Sequence, residues 1–158
     1  MKSMKKVQSV FLPFALLFVF ALISACAGKS NTLKDGYYTA EAADFDSHGW
    51  KEYLSVFISE GRIILVEYNA YNGSGFIKSW DMDYMRVMNA SDGTYPNAYA
   101  RYYASRFLEE QGTEGIDALS GATTSYRTFI KLADAVLKNA REGNSGTALV
   151  YFEGGGTP

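Results

Sequence analysis

Along this chain the spacing of apolar residues changes from two to between three and four, dividing it into a strand-forming half and a helix-forming half. Residues 36–43 (GYYTAEAA) carry the aromatic and β-branched content of a first strand. Leu54, Val56 and Ile58 then alternate with Tyr53, Ser55 and Phe57, the pattern of a strand with one buried face. Glu60 and Gly61 turn the chain and residues 62–69 (RIILVEYN) return it, so residues 51–69 read as a β-hairpin central to the sheet. After the loop at 72–75 (NGSG), Trp80, Tyr84 and Val87 or Met88 fall at helical spacing, which predicts a short helix within residues 78–88.

Asp92, Gly93 and Pro96 punctuate the chain before a second helix over 97–111, with Tyr99, Tyr103, Phe107 and Leu108 along one face. The turn GTEG and an irregular stretch over 116–124 lead into the clearest helix. There Tyr126, Phe129, Ile130, Ala133, Leu137 and Ala140 keep the helical period, and Gly143 stops it. Residues 147–152 (TALVYF) predict a last strand and 153–158 a loose tail. Strands early and helices late, with no repeating alternation, predict an α+β fold: a small antiparallel sheet packed against two or three helices.

The N-terminus follows a different plan. A basic MKSMKK precedes an apolar run over residues 10–23, interrupted by Pro13 and followed by Ser24, Ala25 and Cys26. That run is shorter than the roughly 20 residues a membrane span needs, so it reads as a cleaved export signal. The sequence LISAC looks like a bacterial lipobox, which makes Cys26 the acylated first residue of the mature chain. The expected organisation is a signal peptide over 1–25, a lipidated tether over 26–35 and one domain over 36–152. Acyl chains on Cys26 would hold the domain to membrane lipid on the extracytoplasmic face of the cell membrane.

Composition narrows the function. The chain has 158 residues, 47% hydrophobic and 15% aromatic, enough for one packed core. Lys2, Lys5 and Lys6 are the charged residues of the first 25; beyond them 12 basic residues face 17 acidic ones. An acidic surface without a basic run excludes nucleic acid as a natural partner. Cys26 is the only cysteine, so no disulfide framework exists. His48, the only histidine, sits between Ser47 and Gly49 in a loop, which argues against a histidine metal site or a catalytic triad. Met82, Met85 and Met88 suit packing better than a soft metal. No catalytic residue and no metal ligand is assigned.

Candidate chemistry concentrates in residues 117–125, DALSGATTS, directly before the long helix. Free backbone N–H groups and the positive end of a helix dipole favour an anionic oxygen at such a junction. Gly121 and Ala122 are small enough to admit a phosphate. Ser120, Thr123, Thr124 and Ser125 supply four hydroxyls, which serve equally well as helix caps. No Lys follows the Gly as a Walker loop demands, no second Gly makes a dinucleotide turn, and Ala118 stands where a serine-hydrolase elbow needs Gly.

The string Asp117, Ala118, Leu119, Ser120, Gly121, Ala122, Thr123 resembles the flavinylation motif of the FMN-binding domain family: D, two variable residues, S or T, G or S, then AT. That family includes flavin-bearing subunits of sodium-pumping NADH:quinone oxidoreductases and Rnf-type complexes, and surface lipoproteins of extracellular electron transfer. The resemblance extends through residues 36–70 and the KSWDMDYMRVM of residues 78–88, where Trp80 replaces a common Gln. It implies FMN as cofactor, a separate flavin transferase as modifying partner, and a phosphoester to Thr123, with Asp117, Ser120, Gly121, Ala122 and Thr124 around it. The implied function is electron transfer outside the cytoplasm, with no substrate chemistry of the protein's own; the electron donor and acceptor are not readable. A noncovalent phosphate cradle is the alternative. Tyr37, Trp50, Tyr84 and Tyr126 are aromatic candidates for packing on a flavin, or for ordinary core.

Overall fold

A computed structural model describes residues 32–152; the signal segment, Cys26, most of the tether and the tail at 153–158 lie outside the described residues. Four strands form one sheet in the order β3-β2-β1-β4: β1 (Gly36–Ala42), β2 (Trp50–Ser59), β3 (Arg62–Asn72) and β4 (Ala148–Val150). Alternation decides the faces. Tyr38 and Ala40 of β1, Leu54, Val56 and Ile58 of β2, and Ile63, Tyr68 and Ala70 of β3 are buried on the inner side. Thr39 and Ser55 meet on the outer side, 2.9 Å apart.

The hairpin turns through Glu60 (φ 53°) and Gly61 (φ 70°), the two left-handed residues that match strand twist in a two-residue loop. Asp35 accepts both of their N–H groups, each at 3.0 Å. Ile58 pairs with Ile63 but Phe57 with Leu65, so Ile64 is the extra residue of a bulge. The Gln111 side chain pairs with both the N–H and the carbonyl of Ile63, at 2.8 and 2.9 Å.

The α+β class stands, with one refinement. β1, β2 and β3 are antiparallel, but β4 joins β1 in parallel (Ala40 opposite Ala148), so the sheet is mixed. β3 lies at its edge, leaving β2 and β1 in the middle. Parallel pairing needs a crossover, and here the helices of the described residues lie between β1 and β4 in sequence.

Residues 78–88 divide where the sequence suggested one helix. A 3₁₀ turn, Lys78–Trp80, precedes α1 (Met82–Asp92), because Asp81 is extended and its carboxylate accepts the Tyr84 N–H at 2.9 Å, as an N-cap does. Next comes α2 (Pro96–Glu110), with Pro in the first turn, where a missing N–H costs nothing. Last is α3 (Thr123–Glu142). Tyr103, Phe107 and Phe129 are fully buried, and Phe129 stacks on Tyr103 at 5.4 Å. Each such ring contributes about 2 kcal/mol by leaving water. The buried face of α3 also takes in Leu132 and Val136, while Tyr126 and Ile130 stand half-buried at its margin.

Candidate functional site

The residues before α3 are held by one buried phenol. Tyr103 Oη accepts the Leu119 N–H at 3.1 Å and donates to the Ala122 carbonyl at 3.2 Å. The same carbonyl accepts the Tyr126 N–H at 2.9 Å, and Ala122 N–H closes a turn onto the Leu119 carbonyl at 3.0 Å. Gly121 has φ +76°, and a Cβ placed there would lie 2.2 Å from the carbonyl oxygen of Asp92, at the C-terminal end of α1. Only glycine fits both constraints. The smallness expected to admit a ligand therefore serves packing at this position, as it does at Ala122, which is buried in the core.

The helix head is left open. Ala122 occupies the N-cap position and makes no side-chain cap hydrogen bond, so the cap reading of the hydroxyl run is not what forms. Thr123 and Thr124 are exposed, as are Asp117 and Ser120. Ser125 turns inward: it is buried, with Oγ 3.4 Å from Glu52 Oε1. Thr123 is the first residue of α3, so its side chain stacks over Arg127 one turn on. Arg127 forms no ion pair within the described residues, leaving its guanidinium available to a phosphate.

Beside this head lies a cleft of about 650 Å³, walled by Trp50, Glu52, Thr124, Tyr126, Arg127 and Lys131 among others, within the range of small-molecule sites. Glu52 lies between cleft and core. Part of its surface meets the cleft, but its carboxyl is desolvated, which pushes it up to about 7 even though the Tyr68 hydrogen bond and the Lys78 charge pull the other way. Tyr68 Oη donates to Glu52 Oε2 at 2.6 Å, with the Ser125 carbonyl 3.0 Å away. Lys78 is buried under two rings, its Nζ 5.6 Å from the centre of Trp50 and 5.1 Å from that of Tyr84; desolvation lowers its pKa.

No family model matches the chain. Single proteins do. The 15 kDa lipoprotein of Treponema pallidum (strain Nichols) is 39% identical over 130 residues, covering 82% of this chain and 90% of its own length. The chain belongs to that lipoprotein's family. A crystal structure of a Clostridium perfringens protein, 42% identical, matches with a TM-score of 0.73 over 77% of this chain and 99% of the other.

Within this small bacterial lipoprotein the remaining candidates separate. Trp50 and Tyr126 reach the cleft, and Tyr84 meets Trp50 edge to face at 5.9 Å. Tyr37 does not: it stacks on Phe57 at 4.3 Å on the outer side of the sheet. His48 is exposed in the β1–β2 loop, its N–H donated to Asp46. Met82, Met85 and Met88 lie on α1, where Met88 packs against the core. No helix among the described residues is long and apolar enough to cross a membrane. Sequence reading passed over Glu52 and Arg127 and took Tyr103 for core alone. Extending the β2 alternation one step back from Leu54 puts Glu52 inside, and counting one turn on from Thr123 reaches Arg127.

Proposed function

We propose that this lipoprotein is an electron carrier outside the cytoplasm, anchored by lipid on Cys26, with FMN esterified through its phosphate to the Thr123 hydroxyl by a flavin transferase. One observation carries the reading: at the end of the Asp117 to Thr123 motif, Thr123 stands exposed at the first position of an uncapped helix, its hydroxyl engaged by no neighbour among the described residues.

The residues present fit the group. Open N–H donors at the head of α3 and the Arg127 guanidinium suit a phosphate. Tyr103 and Gly121 fix the backbone that aims Thr123, so the acceptor hydroxyl is held without being consumed. Trp50 and Tyr126 offer ring surface in the adjoining cleft. When bound, the flavin supplies one- and two-electron chemistry that no side chain here has. The covalent bond answers a physical need: a cofactor that dissociates outside a cell is lost by dilution, whereas a tether fixes its local concentration.

The test is the intact and peptide mass of the chain made with and without a flavin transferase. The expected result is a gain of one FMN less one water, mapped to Thr123, and no gain in Thr123→Val, which keeps the fold. A gain that persists in that variant, or none with the transferase present, overturns the assignment. The size of the cleft and the unpaired Arg127 also favour a second reading, noncovalent binding of FMN or a similar phosphate ligand without redox turnover. Colour that leaves on denaturation would select it.

A further inference from the structure

The attachment chemistry leaves one buried acid unused. Glu52 stands in the inward phase of β2, where the next three inward residues, Leu54, Val56 and Ile58, are fully buried. A carboxylate in that phase is costly unless it is satisfied or protonated. Every element packed around it presents a polar group: Asp46 from the β1–β2 loop, Tyr68 from β3, Lys78 from the 3₁₀ turn, Tyr84 from α1, Tyr99 and Tyr103 from α2, and Ser125 from α3. Lys78 is the one cation in this set. It forms no ion pair within the described residues and lies over aromatic faces instead. Asp46 is occupied by the N–H groups of His48 and Trp50. Glu52 alone touches the core network, the first turn of α3 and the cleft together.

Resting on the flavin reading above, we propose that Glu52 is the proton-exchanging residue of the site: it takes one proton from water as two electrons and one proton enter the bound flavin, and releases it when they leave. Two electrons with one proton add a single negative charge, and the proton on Glu52 cancels it, so the charge of the site is the same in both states. The coupling is reciprocal, as linkage requires: negative charge in the cleft favours the protonated acid, and the protonated acid favours reduction. Burial holds Glu52 close to neutrality, where a neighbouring charge changes its occupancy most. Arg127 and Lys131 line the same cleft.

The experiment follows the Glu52 side-chain carboxyl by carbon-13 NMR in the full chain, assigned through bonds from its backbone amide. It is measured unmodified, then flavinylated and oxidised, then reduced anaerobically with dithionite as the two-electron donor. Glu52 is expected to titrate near neutrality and to move up by at least about one pH unit, a tenfold change in proton affinity, on reduction. In parallel, the flavin potential of the native chain should fall by about 30 mV more per pH unit than that of Glu52→Gln around neutrality, the equivalent of one proton per two electrons. A Glu52 that titrates near its ordinary value of 4.5, or that is indifferent to reduction, overturns the proposal. A chain that accepts no flavin overturns the reading beneath it, and this proposal with it, whereas a flavin-bearing chain with an unresponsive Glu52 overturns this proposal alone.

Discussion

At its C-terminal end α3 is closed several times over. Gly143 enters the left-handed region and returns its N–H to the Asn139 carbonyl, which also accepts from Asn144 at 2.9 Å. Lys34 then bonds the Ala140 carbonyl through its backbone at 3.0 Å and the Glu142 carbonyl through Nζ at 2.9 Å. At the N-terminal end Thr123, Thr124 and Ser125 place three hydroxyls in the first turn, yet none caps it. The sequence is able to cap a helix, since Asp81 does so for α1. An end left open on a helix whose other end is so fully closed is a place where stability has been left unclaimed, as binding sites commonly are.

That contrast is open to attack by mutation. Beyond the complete loss of flavin expected of Thr123→Val, the largest effect on the fold should come from Gly121→Ala. Its Cβ meets a main-chain carbonyl and its φ is left-handed, so a loss of about 3 kcal/mol or more is expected in urea unfolding. A neutral result would mean that the head of α3 is not held by this close approach.

Next comes Glu52→Gln, read as stability against pH. The carboxyl titrates near 4.5 when unfolded and about 7 when folded. In that window the unfolded chain has released a proton that the folded one keeps, so native stability should fall as pH rises from about 4.5 to 7, then level off. Allowing for the edge that meets solvent, the fall is about 2 kcal/mol. In Glu52→Gln the slope should vanish, and the variant should exceed the native chain above pH 7.

Gly143→Ala tests the closed end. A left-handed Ala costs about 1–2 kcal/mol, and the neighbouring Lys34 side chain is flexible enough to swing away from the added methyl. The smallest effect is also the most pointed: Thr123→Asp should stabilise the fold by about 0.5 kcal/mol, a negative charge at an open helix head, while abolishing the flavin. If it destabilises instead, the head is not the unsatisfied end described here.

Much of this was legible in one dimension. The hairpin, α2 and α3 follow from periodicity because each buries a continuous face, and Gly143 is readable as a stop because helix termination is local. The division at Asp81 was missed because an Asp inside a helical spacing looks like any exposed polar residue until its carboxylate is seen bonded to Tyr84. Parallel pairing of the three-residue β4 depends on a partner more than a hundred residues away. The site divides the same way. Thr123 is legible as a motif, whereas the reason for Gly121 lies in Asp92 on another helix, and Tyr103 reads as one more ring in an apolar stripe until its hydroxyl is seen spanning Leu119 and Ala122.

Lys34 has a mechanical meaning too. It brings the chain into the fold at the base of α3, beside Asp35, which grips the hairpin turn, so any pull from upstream is borne by helix and sheet at once. Thr123 is at the other tip of this 20-residue rod, roughly 30 Å away. On the function proposed above, a cofactor on Thr123 would be carried a full helix length from the point where the chain enters the fold.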